Sequence, residues 1–157
     1  MIELELVGVR VELPHNQPIV LLKERAGDRF LPIWIGAVEA TSIAFALQGV
    51  VTARPMTHDL MRDLLENLQV QVDKIVVTEL REGTFYAEIQ MTADGDSVVV
   101  SSRPSDAIAL AVRATVPIFA AESVLEEAGI HIEEDDEEDE VERFKEFLDQ
   151  VTPEDFK

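Results

Sequence analysis

The chain has no cysteine, which excludes disulfides, thiolate metal sites and a thiol nucleophile. It has no apolar run of membrane-spanning length, and its first residues, MIELELVGV, lack the basic region and small-residue cleavage site of a secretory signal. These absences lead us to expect a soluble, cytoplasmic protein with no membrane partner. There is no Walker A loop, dinucleotide fingerprint, His-Glu-x-x-His or Gly-x-Ser-x-Gly, so no organic cofactor is expected. Basic residues are scarce, at 13 against 32 acidic ones in 157 residues. Residues 131–157 hold 13 of the acids and 3 of the bases, leaving 19 acids and 10 bases in residues 1–130. The body is therefore acidic even without its tail. This weighs against a tight, non-specific grip on nucleic acid but not against a small site taking nucleic acid as substrate.

What is present is a supersecondary pattern that occurs twice, offset by 67 to 68 residues. LVGVRVEL (6–13) lies over DKIVVTEL (73–80), and IGAVEATSIAFAL (35–47) over SRPSDAIALAVRA (102–114). Each copy reads as three strands, a helix and a second helix. The expected fold class is α+β, an internal duplication of a βββα(α) unit forming one compact domain over 1–130, with pseudo-repeats of about 4–69 and 71–129. An acidic linker (131–140) and a C-terminal docking helix and tail (141–157) follow.

Along the first copy, the alternation of residues 2–13 changes phase beside Gly8, which predicts a bulge. Residues 14–18 read as a turn, and 19–24 with 29–35 as a hairpin. Helix 37–49 is apolar nearly all round, which predicts burial against its own sheet and against another subunit. Thr57 reads as the N-cap of helix 58–69, with Leu60, Met61, Leu64, Leu65 and Leu68 as its buried stripe. The second copy reads as strands 72–81, 84–92 and 97–102, helix 104–114, an extended piece at 117–120 and helix 121–129.

Two acids stand at matching helix starts. Glu39 and Asp106 either cap their own helices or, as pseudo-equivalent carboxylates, bind a divalent cation (Mg or Mn) or orient water. His58-Asp59 opens the helix between them. His58 is the side chain suited to proton transfer near neutral pH, with Asp59 as its orienting carboxylate or a third metal ligand. Arg54 and Arg103 each precede a proline that leads into a helix, where a guanidinium would suit phosphate. The plainer alternative makes His58 a surface residue and pairs the arginines with local acids. His15 and His131 read as ordinary exposed residues. Trp34 is either a stacking platform or, in the plainer reading, a core or subunit contact.

The stretches Leu31-Pro32-Ile33-Trp34-Ile35-Gly36 with Glu39-Ala40, Arg54-Pro55-Met56-Thr57-His58-Asp59-Leu60, Glu82-Gly83-Thr84-Phe85-Tyr86-Ala87 and Arg103-Pro104-Ser105-Asp106-Ala107-Ile108 occur in this order. Together they make the chain resemble the bifunctional nuclease family, also known as the DNase-RNase or DUF151 domain. Its acidic segment and closing residues are similar to those of actinobacterial members. The resemblance implies an α+β fold, a homo-oligomer (we favour a dimer) and nuclease activity on DNA and RNA. The expected function is divalent-cation-assisted phosphodiester hydrolysis, with Arg54, His58, Asp59 and Arg103 catalytic and Glu39, Asp59 and Asp106 as metal ligands. The alternative is a non-enzymatic regulatory or scaffold protein acting through its acidic tail and oligomer surfaces.

Overall fold

Alternating apolar residues build seven strands, and two alanine-rich helices cover them. The computed structural model describes residues 1–12 and 17–132. His15, the acidic run of 133–140 and the helix expected over 141–157 lie outside the described residues.

Strand β1 (Ile2–Glu12) pairs antiparallel with β2 (Gln17–Glu24), and its register shifts between Leu6 and Gly8. The bulge turns Leu4, Val9 and Val11 into the core despite their change of phase. Of the turn expected at 14–18, Gln17 and Pro18 belong instead to β2. β3 (Phe30–Trp34) completes this meander, and α1 (Ala37–Gln48) follows. α1 stops at Gly49, whose left-handed φ of 68° costs a glycine little.

After α2 (Thr57–Asn67), a second meander runs through β4 (Val70–Arg81), β5 (Thr84–Ala93) and β6 (Asp96–Ser102). Its two-residue turns, Glu82-Gly83 and Asp94-Gly95, have positive φ at both positions, as the right-handed strand twist favours. α3 (Pro104–Ala114) begins with proline at its first turn, where a missing N–H costs nothing.

One sheet results, ordered β3-β2-β1-β7-β4-β5-β6. The residues expected only as an extended piece form β7 (Ile118–Ala120), which joins the two meanders. It pairs antiparallel with β1 and parallel with β4. The sequence βββα thus occurs on both sides of β7. α4 (Glu122–Ala128) returns to the first meander. Arg29 ties it there, donating from Nε to Glu24 Oε1 at 2.6 Å and from Nη1 to Glu122 Oε1 at 3.0 Å.

α1 and α3 pack on each other, and both bury alanines (Ala40 and Ala44, Ala107 and Ala111), small side chains that suit a close approach. Leu110 and Ile108 are completely buried, each stabilising the fold by about 1.5–3 kcal/mol. Two helix readings need correction. α1 is not buried all round, since Val38 and Leu47 are exposed while Thr41 and Ser42 are buried. Thr41 tolerates burial because its hydroxyl donates to the Ala37 carbonyl at 2.9 Å. In α2 only Met61 and Leu65 of the expected stripe reach the core, whereas Leu60, Leu64 and Leu68 face solvent. The buried residue of α2 is His58.

Candidate active site

The first turn of α2 enters the seam between α1 and α3, carrying His58 with it. The residue is only 5% exposed. Ser42 Oγ, 1% exposed on α1, lies 2.7 Å from His58 Nδ1, and Asp106 Oδ1 on α3 lies 2.9 Å from Nε2. An ionised carboxylate can only accept, so Nε2 carries hydrogen toward Asp106; in the neutral ring Nδ1 then accepts from the serine hydroxyl. His58 is therefore not the surface residue of the plainer reading. It is a strut across three helices, with both ring nitrogens engaged.

The second Asp106 oxygen accepts from Arg103 Nε at 2.9 Å, and Arg103 Nη2 reaches Glu39 Oε1 at 3.0 Å. Nη2 also lies 2.9 Å from Asp106 Oδ2, so the two acids meet at one guanidinium nitrogen. Both acids, expected as helix caps, are thus engaged by the Arg103 side chain, and Asp106 by His58 as well. A Cβ at Gly36 would meet the Glu39 carboxylate, the end of a flexible side chain that would have to turn aside. Burial pushes the Asp106 carboxyl up, but bonds from His58 and Arg103 outweigh it and hold the group below the usual carboxylate range. The bonds to Asp106 and then Glu39 make Arg103 harder still to deprotonate.

Asp59 faces the other way. Its Oδ1 accepts from Arg113 Nε at 2.7 Å and its Oδ2 from the Met56 N–H at 3.0 Å. Asp59 thus ties down the start of α2; Met56 holds the N-cap position expected of Thr57, which is the first helical residue. Burial raises the Asp59 carboxyl, and the Arg113 and Met56 bonds bring it below its ordinary value. Arg113 also donates to the carbonyls of Ala109 (3.0 Å) and Ser42 (3.1 Å), with its side chain 5% exposed. Sequence reasoning missed Ser42 and Arg113. The available signal was a serine and an arginine set among the apolar residues of these helices.

A polar chain thus runs from Glu39 through Arg103, Asp106, His58 and Ser42 to Arg113 and Asp59. Arg54 stands apart: it is exposed, and its side chain makes no ion pair among the described residues. His131 is exposed, as expected.

The chain opens on two sides. A cleft of about 340 Å³ is lined by Trp34, Gly36, Phe85, Arg103, Pro104 and Ser105, so the starts of α1 and α3 border it. Trp34 is 53% exposed there, and the Arg103 side chain 65%. A second cleft, of about 400 Å³, has Asp59 and Arg113 among its lining residues. Among the described residues, no group of three or more His, Asp or Glu is arranged to hold a metal ion. Glu39 and Asp106 do converge, but on a guanidinium, and Asp59 points elsewhere. As they stand, these residues do not fit a resident divalent cation.

The chain is similar to other proteins over much of its length. The chain is 51% identical over 163 residues to an uncharacterized protein of Mycobacterium tuberculosis (strain H37Rv), covering 99% of this chain and 98% of that one. It is 32% identical over 108 residues to bifunctional nuclease 2 of Arabidopsis thaliana, and 29% identical over 124 residues to bifunctional nuclease 2 of rice. Those matches take in 67% and 75% of this chain but only 32% and 38% of the plant proteins. The bifunctional nuclease domain matches residues 20–133, which include every member of the polar chain from Glu39 to Arg113. The chain belongs to the bifunctional nuclease domain family.

Proposed function

We propose that this protein hydrolyses phosphodiester bonds of DNA or RNA in the cleft beside Arg103. The observation that carries the reading is the meeting, in one cleft, of an exposed guanidinium, two helix N-termini, Trp34 and Phe85. A guanidinium and free helix-start N–H groups suit a phosphate, and aromatic faces suit a base unstacked from its neighbours. Asp106 is ionised at neutral pH and its orientation is fixed by His58. When Arg103 turns to the phosphate, the water oxygen bonds to phosphorus and Asp106 takes its proton; the bond to the leaving oxygen breaks, and that oxygen departs with the electron pair and is protonated from solvent. His58 acts as a positioning residue, since burial keeps it from the substrate.

One observation favours the regulatory or scaffold alternative. Every acid in the site already accepts from an arginine, histidine or backbone donor, so the resting arrangement leaves no carboxylate waiting for substrate. Assays of the purified full chain on single-stranded DNA and RNA, with and without magnesium, separate the two. The nuclease reading expects cleavage that falls about 100-fold or more in Arg103→Gln and in Asp106→Asn. Activity unchanged in both variants, or absent from the parent protein under all conditions, would leave the scaffold reading in possession.

A further inference from the structure

β6 is an edge strand, and among the described residues nothing pairs with its outer side. Its residues Asp96–Ser101 are all exposed, including Val98, Val99 and Val100 at 37–51%. Natural edges are usually protected by charge, proline or a bulge, and the centre of this one carries three valines instead. The two-residue turn at Asp94-Gly95 fixes which groups are free. Ala93 and Asp96 close that turn as a hydrogen-bonded pair, so Asp96, Val98, Val100 and Ser102 bond to β5. The N–H and C=O of Ser97, Val99 and Ser101 therefore point outward.

From this pattern we infer that β6 pairs antiparallel with β6 of a second copy, about a two-fold axis at Val99. A strand that pairs with itself about a two-fold must do so antiparallel. In this register Val99 faces Val99, and Ser97 faces Ser101 of the second copy. All six free backbone groups on each strand then find partners. Val98 and Val100 share a sheet face with the buried Met91 and Ile89, opposite which they pair in β5. Val98 of one copy comes to lie beside Val100 of the other on that face, carrying the apolar layer across the axis. Charge agrees with the register. Asp96 of the second copy falls opposite Ser102, next to the exposed Arg103, so each copy brings an acidic turn to the rim of the other's cleft. The pairing does not depend on the reaction assigned to that cleft.

The test is the mass of the full chain in solution, by light scattering after size-exclusion chromatography at tens of micromolar. Dimerisation gives about twice 17.5 kDa. Val99→Pro removes only an outward N–H, leaving the β5 bonds in place, and should return the mass to a monomer with circular dichroism unchanged. Val99→Lys puts a charge at the axis and provides a second reading should the proline variant not fold. A parent protein that is monomeric overturns the inference. So does a dimer that survives both substitutions; loss of that dimer in Leu64→Glu would move the contact to α2.

Discussion

His58 is held so that removing it strands two partners at once, Ser42 Oγ in the core and Asp106 Oδ1 on α3. Each buried polar group left unsatisfied costs about 1–3 kcal/mol. His58→Ala should therefore destabilise the fold by about 2–4 kcal/mol in urea unfolding, whatever it does to activity. A loss under 0.5 kcal/mol would mean that the strut carries nothing. The acids around it give stability a pH dependence of definite sign. Asp59 and Asp106 are both held below the ordinary carboxylate range. Their contribution is complete above about pH 4, the usual value, and is lost as the pH falls through their lower folded values. Urea midpoints should thus decline below about pH 4, and less steeply in the Asp59→Asn, Asp106→Asn double variant. Equal slopes for the two proteins would show that other carboxylates govern acid unfolding.

At the scale of elements, α1 and α3 end alike in a left-handed residue, but with different side chains. α1 uses Gly49, whereas α3 uses Thr115 at φ 57°, where a β-branched residue is strained. Thr115→Gly should raise stability by about 0.5–1 kcal/mol, a gain visible as a higher melting temperature. A lower one would place the threonine side chain in some contact that outweighs its backbone strain. The elements themselves were largely legible from sequence. Alternation, Asp-Gly and Glu-Gly turns, Pro104 and Gly49 mark their boundaries through local chemistry, within a residue or two for the helices and strands. The facing of α2 was not legible, because its leucines and its histidine compete for the inside. Leucine would win on transfer energy alone, but His58 finds both Ser42 and Asp106, and those partners become visible only in three dimensions. Glu39, Asp106 and Arg103 were singled out from their helix-start positions. That one guanidinium joins both acids depends on the packing of α1 against α3, which no local pattern encodes.

For the whole molecule, cohesion depends on β7. Ile118 is 6% exposed and pairs with Leu4 on one side and Ile75 on the other. Ile118→Ala should cost about 2–5 kcal/mol. Because both meanders lean on the same three residues, unfolding should remain a single transition by circular dichroism and Trp34 fluorescence together. Separate midpoints for the two probes would mean that the halves are energetically independent. The order of synthesis gives the position of β7 a further consequence. The segment that closes the middle of the sheet is nearly the last part of the body to leave the ribosome. Until it emerges, β1 and β4 each keep a bare flank, and a nascent chain halted before Pro117 holds two hairpin systems joined through α1 and α3 but not through the sheet. Completion of this body therefore waits on its final strand, and until then its open sheet edges are the places where an unfinished chain would aggregate.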